Sequence, residues 1–166
     1  MTHVDLVADS NVVSYIYRRG PLGRAYSDLI GVSRTGITFL SVAESRAGAV
    51  YGNWSARQIA ALDAFLSRFF LLPASPEVAN ICGAILGRCK QIGIAMTWPD
   101  ALSAATALWL DVPLVTHDRD LEGIPDLRVL TAHQEWRVGE EGSGLGMGAP
   151  LWLGERDAWR SHTQMN

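Results

Sequence analysis

Four acidic side chains follow short apolar stretches of the sequence or begin alanine-rich ones. They are Asp9 after VDLVA, Glu44 after GITFL, Asp100 before ALSAATAL, and Asp118 after PLVT and one histidine. Carboxylates crowded at one place repel one another, so some must protonate or bind a cation. Oxygen ligands without histidine or cysteine partners suit a hard divalent ion, Mg²⁺ or Mn²⁺. Such an ion commonly serves phosphate chemistry, because it polarises a phosphoryl oxygen and supplies hydroxide at neutral pH.

The elements around these acids predict that the acids meet. Apolar strands alternate with helical patterns, which indicates βαβ units, the α/β class and a mainly parallel sheet of about five strands. The predicted strands are His3–Ala8, Gly36–Leu40, Phe70–Pro73, Leu114–Thr116 and Arg128–Leu130. In such a sheet, ligands bind beyond the carboxyl ends of the strands, where the strand order reverses. If the first and fourth strands are neighbours at that point, Asp9 and Asp118 line one crevice.

Two predicted helices supply the other acids to the same edge. Ser41 is expected to cap the helix that leaves the second strand, with Glu44 in its first turn. Asp100 lies in the first turn of the helix that leads to the fourth strand, where the helix dipole favours a negative charge. Each acid also has an ordinary explanation: Asp9 as a helix cap, Glu44 as a solvated residue, Asp100 as a dipole partner, Asp118 and Asp120 as turn formers. The joint placement is what indicates a site.

Length and composition limit the class of protein. A chain of 166 residues with 48% hydrophobic residues is expected to form one core. No apolar run reaches the roughly 18 residues of a membrane span, and the N-terminus lacks the cations of a signal peptide. We therefore expect a cytoplasmic protein without a membrane partner. Cys82 and Cys89 are seven apart in a helical pattern, which is too far for a disulfide.

The charge balance bears on the kind of substrate. A net charge of −3 argues at first against a nucleic-acid partner. However, Lys90 is the only lysine, and the thirteen arginines carry planar guanidinium groups that suit phosphate. Compositional bias is the better explanation of the arginine count taken alone. If the four acids hold a metal, the rest of the chain has a net charge of +1, so an acidic chain can still present a site that accepts phosphate.

The character of the chain changes after Thr131. Gly139–Pro150 reads GEEGSGLGMGAP, which is typical of a flexible segment. Trp152 and Trp159 follow, seven residues apart. We therefore divide the chain into a body, residues 1–131, and a Gly-rich extension, residues 132–166. The last part of the extension is predicted to cover an edge of the body or to dock on a partner.

Four motifs together resemble the PIN-domain family, in particular the VapC-type toxins of bacterial toxin–antitoxin pairs. They are DSNV from Asp9, SVAES around Glu44, PDALSAATAL from Pro99, and PLVTHDRDLEGIPDLRVL from Pro113. Their order and spacing match over about residues 4–131, and the third and fourth motifs are the most specific. The resemblance implies a PIN-like three-layer α/β/α fold. The chain departs from the family in its C-terminal extension, which is longer than is typical.

The resemblance also implies an activity and partners. Its implied function is a Mg²⁺- or Mn²⁺-dependent endoribonuclease that cuts single-stranded or loop RNA, held inactive by a cognate antitoxin in the toxin's groove and often dimeric. The implied acidic quartet for catalysis and metal binding is Asp9, Glu44, Asp100 and Asp118. Ser10, Asn11 and Thr116 match the supporting polar positions, and Asp120 an auxiliary acid. Arg119 is interpreted either as a contact to a substrate phosphate or as a solvated loop residue.

Two alternatives stay open at this point. A phosphoaspartate enzyme of the haloacid dehalogenase type needs a second acid two residues after the first, but Asn11 stands there, and Lys90 lies inside a helix. A catalytically silent PIN-fold module that binds RNA or a protein is the other alternative, and the intact quartet argues against it. Histidines offer no other route, because His3, His117, His133 and His162 lack the spacing of a metal site.

Overall fold

The computed structural model describes residues 3–132, and its centre is one five-stranded sheet. Its strands are β1 (Leu6–Ala8), β2 (Thr35–Thr38), β3 (Phe70–Leu72), β4 (Leu114–Val115) and β5 (Val129–Leu130). The helices in this part of the chain are α1 (Ser10–Arg18), α2 (Pro21–Ile30), α3 (Phe39–Tyr51), α4 (Ala56–Leu66), α5 (Pro76–Gln91) and α6 (Trp98–Leu110). A 3₁₀ turn, Arg119–Gly123, follows β4. The predicted C-terminal extension lies outside the described residues, apart from Ala132.

The strand order is β3-β2-β1-β4-β5, and every pair is parallel. Strand β1 is central: Val7 pairs with Gly36 of β2 on one side and with Leu114 of β4 on the other. The order of the chain reverses between β1 and β4, so the ligand-binding crevice expected of an open parallel sheet lies at their carboxyl ends. The predicted neighbour relation of the first and fourth strands is confirmed.

Helices cover both faces of the sheet, which confirms the three-layer α/β/α architecture. Helices α5 and α6 pack on one face, where the core includes Val7, Ile85 and Leu114. Helices α1 to α4 supply the other face, where Ala8 and Tyr26 are fully buried. Val7 and Ala8 belong to opposite cores because consecutive side chains of a strand point to opposite faces. The two cores fix the strand ends from both sides.

The start of α3 differs from the prediction. Strand β2 ends at Thr38, and Phe39 and Leu40 form the first turn of the helix instead of the last part of the strand. Thr38 is the N-cap, and its hydroxyl accepts the backbone N–H of Ser41 at 3.3 Å, so the predicted cap at Ser41 was wrong. Glu44 consequently lies in the second turn of α3 and not in the first, because the helix begins earlier.

Other boundaries differ from the predictions by a few residues. β1 begins at Leu6 instead of His3, while β3, β4 and β5 are each slightly shorter than predicted. Cys82 and Cys89 are buried free thiols. None of the helices within residues 3–132 combines the length and the apolar character that a bilayer crossing requires.

Candidate active site

Asp9 lies at the carboxyl end of β1 and is completely buried. It is the N-cap of α1, and its Oδ1 accepts the backbone N–H of Ser10 at 2.8 Å. The Ser103 hydroxyl of α6 donates to the same oxygen at 3.4 Å, and the Thr116 hydroxyl donates to Oδ2 at 3.2 Å. Residues from three separate parts of the chain therefore orient this carboxylate.

Burial raises the pKa of Asp9 from an ordinary value of 3.8 to about 6. The negative charges of Asp100 and Glu44 contribute to this rise, while the hydrogen bonds from Ser10 and Thr116 oppose it. A buried carboxylate that faces other carboxylates favours either a proton or a cation. Asp9 thus interacts electrostatically with acids from two other elements, Asp100 of α6 and Glu44 of α3.

Asp100 is buried in the first turn of α6, as the sequence predicts. Thr97 caps the helix: its hydroxyl accepts the Asp100 backbone N–H at 3.3 Å and donates to Asp100 Oδ2. Burial raises the pKa of Asp100, and the charges of Asp118 and Asp120 add to that rise, whereas the Thr97 hydrogen bond lowers it. The carboxylates of α6 and of the turn after β4 thus interact electrostatically.

Asp118 begins the turn that follows β4. Its Oδ1 accepts the backbone N–H of Asp120 at 2.9 Å, and its own N–H donates to the Thr116 hydroxyl at 3.1 Å. Thr116 is fully buried and is bonded to Asp9 as well, so one hydroxyl joins the ends of β1 and β4. Arg119, next in the chain, is exposed, and within residues 3–132 its side chain makes no hydrogen bond or ion pair.

An open cleft of about 530 Å³ lies over this edge of the sheet. Its walls include Ser10 and Asn11 of α1, Glu44 of α3, and Thr97 with Asp100 of α6. Glu44 and Asn11 are exposed to solvent in it. The structure therefore brings Ser10, Asn11, Glu44 and Asp100 to one cleft. Five predicted site residues do not line that cleft: Asp9, which is buried at the end of β1, and Thr116, Asp118, Arg119 and Asp120, which lie along β4 and its turn.

The donor set suits a divalent cation by its chemistry but not by its present geometry. All four acids offer oxygen ligands, which suit Mg²⁺ or Mn²⁺, and the raised pKa values of Asp9 and Asp100 mean that a cation would relieve repulsion. In residues 3–132, however, no three histidine, cysteine or acidic side chains are close enough together to hold one ion. The set fits such an ion by chemistry and charge, and side chains such as the exposed Glu44 would have to move inward to coordinate it.

Comparison with known proteins gives the family. Residues 6–127 match the PIN domain. The chain belongs to the PIN domain family. A comparison with curated protein sequences gave no significant match.

Several solved structures share the fold of this PIN domain. VapBC2 of Rickettsia felis, solved with a DNA fragment from its promoter, is 22% identical, with a TM-score of 0.66 over 76% of this chain and 97% of that chain. VapBC-1 of nontypeable Haemophilus influenzae is 24% identical, with a TM-score of 0.64 over 77% and 98%. FitAcB of Neisseria gonorrhoeae is 24% identical, with a TM-score of 0.64 over 80% and 99%. At these identities the likeness establishes the shared fold.

Sequence reasoning missed three side chains that support the site in this PIN domain. Ser103 binds Asp9, and Thr97 binds Asp100. Ser103 is three residues after Asp100, so helical spacing could have placed it on the same face of α6. The third is Tyr26, whose buried hydroxyl contacts the Thr116 carbonyl at 3.1 Å and His117 Nδ1 at 2.8 Å. No local pattern marks Tyr26.

Proposed function

We propose that this PIN domain is a divalent-metal-dependent endoribonuclease that hydrolyses RNA phosphodiester bonds, and that it is the toxin of a type II toxin–antitoxin pair. The observation that carries the proposal is the buried carboxylate of Asp9, whose pKa is raised to about 6 beside Asp100 and Glu44. A folded protein that buries such a group next to other carboxylates gains from a bound cation. The order of the four motifs supports the nuclease reading within the family.

The acids that would hold the ion are Asp9, Glu44, Asp100 and Asp118. Mg²⁺ or Mn²⁺, when bound, would polarise a phosphoryl oxygen and lower the pKa of its water. The chain's own polar groups orient the ligands: Ser10, Ser103 and Thr116 bind Asp9, Thr97 binds Asp100, and the backbone of Asp120 binds Asp118. Hydrogen bonds of this kind fix the orientation of the metal ligands. They commonly matter almost as much to metal binding as the ligands themselves.

Substrate contacts are proposed on both sides of the acids. Asn11 lines the cleft with an exposed amide, which can hydrogen-bond to a base or a sugar. Arg119 follows Asp118, and within residues 3–132 its guanidinium has no partner, so its planar fork suits a substrate phosphate. Asp120 would serve as an auxiliary acid, since its charge already raises the pKa of Asp100.

The proposed partners are RNA and a cognate antitoxin. The similar structures include VapBC and FitAcB assemblies and a toxin–antitoxin complex of Klebsiella pneumoniae. Their chains are matched almost over their full length, which favours the same kind of partner for this chain. A homodimer and a cytoplasmic location belong to the same proposal, as does a body, residues 1–131, that carries the catalytic acids.

One observation favours a second candidate, a PIN-fold module that binds RNA or a protein without cutting. Within residues 3–132 no three acids lie in an arrangement that could hold one ion. A silent module would bind its partner equally well with and without metal. The two candidates therefore differ in a single measurable property, metal-dependent cleavage.

The test is cleavage of a mixed structured RNA pool by the purified, antitoxin-free full chain in Mg²⁺, Mn²⁺ or EDTA. Asp100→Asn is the test variant, and Asp28→Asn, an exposed change on α2, is the matched control. We expect discrete cuts that need metal, persist in the control and vanish in Asp100→Asn. Two results would contradict the nuclease proposal. One is a folded wild-type protein that cuts the RNA with neither Mg²⁺ nor Mn²⁺, and the other is an Asp100→Asn variant that cuts as well as the wild type.

A further inference from the structure

The cleft has an aromatic end that the proposed catalytic chemistry does not use. The rings of Tyr17 (α1) and Trp54 are stacked, with centroids 5.7 Å apart and planes inclined by 22°. The ring of Phe65 (α4) lies 5.1 Å from that of Tyr17. All three residues line the cleft and are only partly buried, so ring surface remains open to it.

This aromatic end and the acidic end, which is the part of the cleft lined by Glu44 and Asp100, belong to one cavity. Helix α1 lines the cleft from Asn11, two residues after Asp9 in the chain, to Arg18, which follows Tyr17. Seven residues of α-helix span roughly 10 Å, which sets the separation of Asn11 and Arg18 along that helix. Ser14, which lies between Asn11 and Arg18 in α1, also lines the cleft, as does Ser45 of α3. A cavity of about 530 Å³ lies within the size range of small-ligand sites.

Arg18 gives the aromatic end a positive charge. Its side chain is exposed, and within residues 3–132 it makes no hydrogen bond or ion pair. Arg34 and Arg46, by contrast, are paired with Asp5 and Asp63. An exposed guanidinium in the same cleft as partly exposed rings suits a ligand that is both aromatic and anionic, and a nucleotide has that chemistry.

We propose that the aromatic end is a nucleobase subsite, formed by Tyr17, Trp54 and Arg18, for a single-stranded RNA whose scissile phosphate lies at the acidic end. The assignment rests on the proposed nuclease function. Stacking needs an exposed base face, which a single strand or loop offers and a duplex does not. The subsite would thus give the enzyme its preference for unpaired RNA, with little dependence on base identity, because every base has a π-face.

The experiment uses the full chain with a fluorescein-labelled, mixed-sequence single-stranded RNA of about 12 nucleotides, within the range of known single-strand sites. Affinity is measured by fluorescence anisotropy in Mg²⁺ on the Asp100→Asn background, so that cleavage does not interfere. Trp54→Leu and Arg18→Ala are the test variants. Trp109→Leu, at the far end of α6, and Arg57→Ala, outside the cleft, are the matched controls. Thermal melting checks the fold of each variant.

We expect each test variant to weaken RNA binding about tenfold, as loss of one stacked base or its phosphate contact does, while the controls leave the affinity unchanged. A 5-iodouridine version of the RNA should photocrosslink to Tyr17 or Trp54, as mapped by mass spectrometry. If Trp54→Leu fails to fold, Arg18→Ala and the crosslinks still decide the matter. A duplex of the same sequence should compete poorly.

Two results would overturn the subsite. They are crosslinks confined to other parts of the chain, and unchanged RNA affinity in folded Trp54→Leu and Arg18→Ala, which would leave the aromatic end to a protein partner. These failures are distinct from failure of the nuclease proposal. Metal-dependent cleavage without crosslinks at Tyr17 or Trp54 removes the subsite alone. Crosslinks and weakened binding without any cleavage support the subsite and contradict the nuclease.

Discussion

The hydroxyl of Thr116 donates a hydrogen bond of 3.2 Å to the buried carboxylate of Asp9, between the carboxyl ends of β4 and β1. The same hydroxyl accepts the backbone N–H of Asp118 at 3.1 Å. Thr116 is fully buried, so neither bond competes with bulk water. One side chain thus sets the direction of the Asp9 carboxylate and the start of the turn that carries Asp118.

Replacing Thr116 by valine should therefore disturb both acids with little change in volume. The Thr116 hydrogen bond lowers the pKa of Asp9, so Thr116→Val should raise that pKa further. We expect the affinity for Mn²⁺, measured by isothermal titration calorimetry, to fall about tenfold, as is typical when a second contact to a metal ligand is lost. The matched control is Thr106→Val, because Thr106 is also buried and, in the part of the chain that the structure describes, its hydroxyl bonds only to the Leu102 carbonyl of its own helix. Equal Mn²⁺ affinity in both variants would contradict this role of Thr116.

The raised pKa of Asp9 makes a prediction about stability and pH. The pKa is about 6 in the folded chain against an ordinary 3.8, so between these values the folded state retains a proton that the unfolded state has lost. The free energy of unfolding of the metal-free protein should therefore fall as pH rises from about 4 to about 6, by about 3 kcal/mol from this group. Below that window the Asp9 contribution is fully present.

Asp9→Asn isolates this effect, because the amide is neutral at every pH. The difference in free energy of unfolding between Asp9→Asn and wild type, measured by urea denaturation in EDTA, should grow in favour of the variant from pH 4 to pH 7. Saturating Mn²⁺ should reduce or reverse the difference at pH 7, since a ligand that binds only the folded wild type stabilises it. A difference that stays constant with pH would contradict a raised pKa at Asp9.

Predictions from the sequence were correct where the topology of a parallel sheet determines which residues lie at the same edge. They were wrong where they depended on the preference of single residue types for caps or strands. Asp9 and Asp118 follow neighbouring strands of a parallel sheet, so their shared edge could be predicted. The start of α3 could not, because Thr38 and Ser41 are both good N-caps and Phe39 is common in strands. Tyr26 could not be found either. Its partner Thr116 is 90 residues away in the chain, and only the packed fold brings them together.

Close packing of α1 against α2 depends on the absence of a side chain at Gly23. A Cβ atom there would lie 2.0 Å from the carbonyl oxygen of Tyr15, which is backbone and cannot move aside. Gly23→Ala should therefore lower the free energy of unfolding by about 1–3 kcal/mol, the range for an overpacked core. Gly87→Ala in α5 is the control, because nothing lies within 4 Å of a Cβ there.

The control should behave in the opposite way. Alanine restricts the unfolded chain and favours helix, so Gly87→Ala should raise the free energy of unfolding by about 0.5–1 kcal/mol. Both values come from urea denaturation. Equal effects of the two substitutions would contradict the close approach of α1 and α2.

Tyr26 connects that helix packing to the candidate site. Its hydroxyl, fully buried, lies 3.1 Å from the Thr116 carbonyl, 2.8 Å from His117 Nδ1 and 3.3 Å from the Thr131 hydroxyl. Three groups from the ends of β4 and β5 thus meet one phenol of α2. Burial raises the pKa of Tyr26, so the phenol remains neutral and can donate at any pH at which the protein works.

Tyr26→Phe removes only the oxygen and should leave buried polar groups with one partner fewer. We expect a loss of about 1–3 kcal/mol in the free energy of unfolding, the usual cost of a buried polar group that loses its partner. The segment from Thr116 to Asp118 should also loosen. We therefore expect the Mn²⁺ affinity of the folded variant to fall as well. Tyr15→Phe is the matched control: the Tyr15 ring packs against Tyr26 and His117, and within residues 3–132 its hydroxyl makes no hydrogen bond. Wild-type Mn²⁺ affinity in a folded Tyr26→Phe variant would show that the phenol stabilises the fold without positioning the acids.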